Sequence, residues 1–122
     1  MKQLALVCLG GAFGSGLRYG TTLLLDKLSP KLAAAFPLAT LLVNFVGCFA
    51  IGVGAGLLGR DGVKYGPELQ LLLLVGVCGG LTTFSAFAGQ TLALTSGKAL
   101  LNIGASVGGG LALAWFGAWL VK

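Results

Sequence analysis

The charged residues of this chain are few, and nearly all of them lie at the ends of four long apolar stretches. The 122 residues include eight Lys or Arg but only three Asp or Glu, and 57% of the chain is hydrophobic. The stretches are 23 to 29 residues long, and a helix needs about 20 apolar residues to cross a bilayer. They are residues 3–25, with Arg18 as their one charge, and the uncharged residues 32–59, 69–97 and 99–121. The sequence therefore predicts four membrane-spanning helices, with no room for a domain outside the membrane.

The composition excludes several classes of protein. Only 9% of the residues are charged, whereas about a quarter are charged in a typical soluble domain. This rules out a soluble enzyme or a nucleic-acid-binding module. The run Leu71–Val75 is continuously apolar, unlike the alternating strands of a membrane β-barrel. The chain has no histidine, so His-dependent triads and proton relays are absent. We predict one all-α membrane domain over residues 1–122, with spans at about 3–25, 34–58, 69–95 and 99–121.

The loop charges are nearly balanced across the membrane. Four spans place both termini on one side, together with the loop between spans 2 and 3. One side then carries Lys2, Arg60, Lys64 and Lys122, and the other carries Lys27, Lys31 and Lys98. Lys/Arg bias in short loops sets orientation, and four against three is almost no bias. Either another signal fixes a single orientation, or the chain inserts both ways round and pairs as an antiparallel dimer.

Two spans carry isolated polar side chains, which are candidates for function inside a membrane. Arg18 lies about two turns from the Asp26 end of span 1. It either extends its charge to the interface or attracts anions at a pore vestibule. Asn44 lies near the middle of span 2, with Thr40 one turn earlier on the same face. Its amide either links helices or donates to a partly dehydrated anion.

The third span contains the most unusual stretch, Gly79-Gly80-Leu81-Thr82-Thr83-Phe84-Ser85-Ala86-Phe87. Paired glycines followed by paired threonines weaken a helix locally. Backbone freed at this depth is tolerated only where it is buried in protein or lines a cavity, and unwound carbonyls can coordinate a monovalent cation. Phe84 and Phe87 share a face of a resumed helix, an arrangement that is usually core packing.

In span 4, Asn102 and Ser106 repeat at i, i+4 and Gly110 continues the row. This row is either a polar track or a hydrogen bond to a neighbouring helix.

Three motifs together resemble the CrcB/Fluc family of fluoride channels. The first is Gly11-x-x-Gly14-x-x-x-Arg18-Tyr19, and the second is Thr40-Leu-x-Val-Asn44-x-x-Gly47-x-Phe49. The third is Gly79-Gly80-Leu81-Thr82-Thr83-Phe84-Ser85-x-Phe87. The motifs occur in order on spans 1, 2 and 3, so the resemblance covers the whole chain. It implies a four-helix chain with a break in the third helix, which forms an antiparallel, dual-topology homodimer with two pores. It also implies passive export of fluoride across the cytoplasmic (inner) membrane.

The resemblance also implies roles for individual residues. Asn44 would donate to fluoride, and the ring edges of Phe84 and Phe87 would face the ion. The backbone carbonyls of Gly79 and Thr82, from both subunits, would hold a structural Na⁺. Further pore hydroxyls would come from Thr83, Ser85, Thr40 and Ser106, and Arg18 would be the basic residue of the vestibule. The chain departs from the family pattern at Ala86, where Thr is common, and at Asn102 and Gly110, which replace hydroxyl-bearing residues of the span-4 track.

Two other functions are compatible with a small four-helix chain. A proton-coupled multidrug exporter needs a carboxylate within the membrane, but Asp26, Asp61 and Glu68 all lie at span ends or in connectors. A non-transporting membrane scaffold would account for the glycines and short loops, but not for Asn44 or the Gly-Gly-Leu-Thr-Thr stretch.

Overall fold

The structure, a computed structural model, describes residues 1–58 and 66–122, and these residues form helices and no strands. The first three helices are α1 (Lys2–Leu28), α2 (Pro30–Ala35) and α3 (Leu38–Leu58). Helix α4 begins as Pro67–Gln70, is π-helical over Leu71–Cys78 and ends with the turn Gly79–Leu81, and α5 is Phe84–Leu92. Helix α6 begins as Ser96–Gly104, is π-helical over Ala105–Gly109 and ends as Gly110–Leu120. The predicted all-α class is confirmed.

The prolines mark where helices begin. Pro30 opens α2 and Pro67 opens α4, the position at which a missing N–H and a fixed φ are tolerated best. Phe36 is extended, with φ −158° and ψ 144°, because the residue before a proline is disfavoured in helical geometry. Pro37 therefore separates the short α2 from the long α3.

Three helical segments of the described residues are long and apolar enough to cross a membrane. They are Leu38–Leu57, Pro67–Leu92 and Ser96–Leu120. Helix α1 is also long enough at 27 residues, although it contains Arg18. The chain is therefore a multi-pass membrane protein. Of the charges used to compare the two sides, Arg60 and Lys64 lie outside the described residues, as does Asp61.

Glycines bring the long helices together in two pairs. Gly10 and Gly14 of α1 lie against the backbone of α4: a Cβ added at Gly14 would stand 2.7 Å from the Leu81 nitrogen and would overlap the Val77 carbonyl. Gly56 of α3 lies equally close to α6, where an added Cβ would be 2.6 Å from the Ala118 carbonyl oxygen. Small residues permit such close approach of helices in membranes, so α1 packs on α4 and α3 packs on α6.

Little of the apolar side-chain surface is buried within one chain. Among the described residues, the buried hydrophobic ones are Val43, Cys78, Leu81 and Phe87. Large apolar side chains along every long helix remain exposed, including Leu9, Phe13 and Trp115. So much exposed apolar surface is unusual for a soluble monomer. We expect these side chains to contact lipid or another membrane chain.

Candidate functional site

Two extended residues separate α4 from α5. Thr82 has φ −80° and ψ 154°, and Thr83 has φ −154° and ψ 120°. The N–H of Thr83, which would bond the Gly79 carbonyl in a continuous helix, donates instead to Asn44 Oδ1 at 2.8 Å. At the interruption, backbone groups therefore form hydrogen bonds outside the helix, because unpaired N–H and C=O groups are costly within a membrane.

Asn44 binds this interruption from α3. Besides accepting from the Thr83 N–H, it donates from Nδ2 to the Thr83 carbonyl at 3.2 Å. The side chain thus pairs with both backbone groups of one extended residue, much as a neighbouring strand would. An asparagine amide has two N–H donors, so one donor of Asn44 is left after the bond to Thr83.

Arg18 binds the interruption from α1. Its Nε donates to the Gly80 carbonyl at 3.2 Å, and Ser15 Oγ donates to the same carbonyl at 3.4 Å. Gly80 lies in the last turn of α4, where carbonyls lack helical partners and carry partial negative charge. The structure thus places Arg18 at the end of α4, and its predicted vestibule role stays a prediction.

Thr83 also begins α5. Its Oγ1 accepts from the Ala86 N–H at 3.2 Å and lies 3.2 Å from Ser85 Oγ. A threonine in this position satisfies one of the free N–H groups of a helix start. The hydroxyls of Thr83 and Ser85 are therefore joined to each other and to the first turn of α5.

Phe84 and Phe87 lie together on α5. Their ring centroids are 5.4 Å apart and their planes are inclined at 51°. Phe84 is 77% exposed, whereas Phe87 is 9% exposed. Ring edges are electropositive and ring faces electronegative, so the exposed Phe84 is free to present an edge to an anion.

Most of the predicted pore residues line one open groove of about 520 Å³. Asn44, Thr83, Phe84, Phe87 and Ser106 line it, together with Gly79 and Thr82. The remaining lining residues are Gly47, Cys48, Ile51, Val107 and Ala114. The groove thus presents amide, hydroxyl and aromatic groups between otherwise small or apolar walls.

Two predicted pore residues are not among the lining residues. Thr40 lies one turn before Asn44 and is buried, at 8% exposure. Ser85 is exposed on the first turn of α5 and contacts Thr83. The pore roles of both stay predictions.

The backbone carbonyls of Gly79 and Thr82 are the predicted ligands of a Na⁺ ion, and this role stays a prediction. The Thr83 N–H is directed to Asn44, so it does not compete for the Gly79 carbonyl. A Cβ at Gly79 would have no neighbour within 4 Å. Within the described residues no cluster of three His, Cys, Asp or Glu side chains is present, and the predicted ligands are backbone carbonyl oxygens. Unwound carbonyls serve this purpose in membrane transporters.

Sequence reasoning did not identify Ser15 and Thr91. Ser15 lies three residues before Arg18, a spacing that places both on one face of α1 and was a usable signal. Thr91 Oγ1 donates to the Phe87 carbonyl at 2.6 Å and accepts from Asn102 Nδ2 at 2.8 Å. Only the packing of α5 against α6 makes that contact visible.

The chain is similar to a well-represented group of membrane proteins. Residues 5–118 match the family described as "CrcB-like protein, Camphor Resistance (CrcB)". A fluoride-specific ion channel FluC of Methylobacillus flagellatus is 44% identical, over 100% of this chain and 96% of its own length. The protein of the same name from Thermus thermophilus is 46% identical, over 96% of this chain and 93% of its own length. That of Paramagnetospirillum magneticum is 43% identical, over 98% and 92%.

Proposed function

Because the chain belongs to the CrcB family, we propose that it is a fluoride channel of the membrane and not an enzyme. The groove supports this assignment independently of the names of the relatives. Asn44, Thr83, Phe84, Phe87 and Ser106 line one cavity although they come from α3, from α6 and from α5 with the extended residue before it. These are residues that the family resemblance assigns to the fluoride pore.

The groove has the chemistry that a fluoride pathway needs. Fluoride is small and strongly hydrated, so a pore must replace its water with donors without binding it too tightly. The remaining N–H of Asn44 supplies a conventional donor, and the phenylalanine edges supply weaker ones. Among the residues that the structure describes, no lysine or arginine lines the groove, so none of them places a full positive charge beside the anion.

The extended residues Thr82 and Thr83 form a functional break in the third span under this proposal. Asn44 holds the break from one side, and Arg18 with Ser15 holds it from the other. The carbonyls of Gly79 and Thr82 would hold a structural Na⁺ shared with a second subunit. The cation would offset part of the field of two anion pathways.

The second subunit is an inverted copy of the same chain, so that a homodimer contains two antiparallel pores. The near-equal loop charges support dual insertion, and the large exposed apolar surface supports association within the bilayer. We place the protein in the cytoplasmic (inner) membrane, where it exports fluoride down its gradient.

Fluoride efflux from proteoliposomes, followed with a fluoride electrode, tests the function. We expect rapid passive efflux from vesicles containing the purified protein, with a rate that a pH gradient does not change. Efflux equal to that of protein-free vesicles would overturn the assignment. Efflux that requires a proton gradient would indicate a coupled exporter instead.

Asn44→Asp should reduce efflux to the vesicle leak while the dimer remains assembled. Aspartate still accepts from the Thr83 N–H but no longer donates to the Thr83 carbonyl, and it places a negative charge in the groove. Thr21→Val is the control, because Thr21 donates to the Leu17 carbonyl within α1 and does not line the groove. Wild-type efflux from correctly assembled Asn44→Asp protein would contradict the role of Asn44.

A further inference from the structure

Asn102 is an unusually buried polar residue for a chain of this kind. It is 2% exposed, while most large apolar side chains of the described residues remain open at the surface. A buried amide is costly unless it is hydrogen-bonded. The hydrogen-bond partners of Asn102 therefore fix the position of its side chain and indicate its structural role.

Those partners form a continuous hydrogen-bond relay from α6 to α5. Ser106 Oγ donates to Asn102 Oδ1 at 3.4 Å, and Asn102 Nδ2 donates to Thr91 Oγ1 at 2.8 Å. Thr91 Oγ1 in turn donates to the Phe87 carbonyl at 2.6 Å. The two ends of the relay, Ser106 and Phe87, line the groove, whereas Asn102 and Thr91 are not among its lining residues.

The bond between Thr91 and Asn102 crosses between helices. A threonine that donates to the carbonyl four residues earlier is common in helices, and Thr21, Thr22 and Thr82 do the same. Thr91 differs because its hydroxyl also accepts from Asn102 on α6. Helix α5 has only nine residues and follows two extended ones. A helix this short is marginal alone, so its rotation depends on such external contacts.

We propose that Asn102 and Thr91 are positioning residues that fix the Phe87 ring relative to Ser106, and that Asn102 is not a fluoride ligand. The relay sets the rotation of α5 about its axis, and hence the direction of the Phe87 edge in the groove. The proposal rests on the channel function proposed above and adds two residues that act on fluoride only through their neighbours.

Substitutions at Thr91 test the relay, with unitary fluoride current in planar bilayers as the measurement. Thr91→Val keeps the shape and removes the hydroxyl, whereas Thr91→Ser keeps the hydroxyl. We expect Thr91→Val to lower the unitary current severalfold, because it removes the hydrogen bond that holds α5 against α6, and Thr91→Ser to stay close to the wild-type current. A purely structural role would lower the number of active channels and leave the unitary current unchanged.

Several results would overturn the proposal. If Asn102 is a fluoride ligand, Thr91→Val frees its amide and leaves the unitary current unchanged or higher. Equal losses in Thr91→Val and Thr91→Ser would implicate side-chain shape instead of the hydroxyl. If Thr91→Val does not assemble, Thr91→Ala and Thr91→Ser form a second pair that differs by the hydroxyl, and equal currents there would also reject the relay. A silent wild-type protein, in contrast, would reject the channel function itself.

Discussion

Phe84→Ala should abolish fluoride efflux from proteoliposomes and leave the amount and size of the assembled protein unchanged. Phe84 is 77% exposed within the chain and lines the groove, so its truncation removes a ring edge from the groove with little loss of packing. Efflux is measured with a fluoride electrode, and assembly by size-exclusion chromatography. The expected rate is that of protein-free vesicles.

Phe13→Ala is the matched control for this variant. Phe13 is 62% exposed on α1 and is not a groove residue, so the same truncation there should leave efflux at the wild-type rate. Wild-type efflux from well-assembled Phe84→Ala protein would show that the exposed ring has no part in conduction. Equal loss in both variants would indicate a general effect of removing surface aromatic rings.

Phe87→Ala should also abolish efflux, but it is a weaker test of the ring's role. Phe87 is 9% exposed, and truncating a buried phenylalanine costs about 3–5 kcal/mol. Loss of efflux therefore has to be read together with the yield of assembled protein. Phe84→Ala separates conduction from folding, which Phe87→Ala does not.

Gly14→Ala should destabilise the folded protein strongly, although it adds only one methyl group to α1. The new Cβ would overlap the Val77 carbonyl and stand 2.7 Å from the Leu81 nitrogen. These atoms belong to the backbone of α4, so the helices must move apart. Overpacking of this kind costs about 1–3 kcal/mol. Thermal unfolding in detergent, followed by loss of the native elution peak, should show a clearly lower midpoint.

Gly16→Ala is the control, since a Cβ there meets nothing within 4 Å. Alanine is favoured over glycine inside a helix by up to about 1 kcal/mol, so this variant should unfold at the wild-type temperature or above. An equal midpoint for Gly14→Ala and Gly16→Ala would contradict the close packing of α1 on α4.

The class of protein was readable from the sequence because it depends on simple physical requirements. A bilayer tolerates few charges and demands helices of sufficient length, so the distribution of Lys, Arg, Asp and Glu indicated an all-helical membrane chain. The motifs around Arg18, Asn44 and Gly79–Phe87 indicated the family, which the comparisons confirm.

The partners of the polar residues were not readable from the sequence. Asn44 was a candidate pore donor, yet two of its hydrogen-bonding positions are directed to Thr83. The sequence allowed two interpretations of Asn102, as part of a polar track or as a hydrogen bond to a neighbouring helix. In the structure Asn102 bonds to Thr91 and Ser106. A polar side chain in a membrane helix needs a hydrogen-bond partner, but which residue supplies it depends on the helix that lies beside it.

The glycine pairs show the same division between sequence and tertiary structure. Small residues four apart occur in every long helix and indicate close packing without naming the neighbours. The structure places Gly10 and Gly14 against α4, and Gly52 and Gly56 against α6, while Gly104 and Gly108 have nothing within 4 Å of an added Cβ. The placement of the few charges at the ends of apolar segments and the spacing of the glycines were therefore enough to predict long helices that can approach closely. Which helix faces meet depends on the packing of the whole chain, because a glycine permits contact with any neighbour and specifies none.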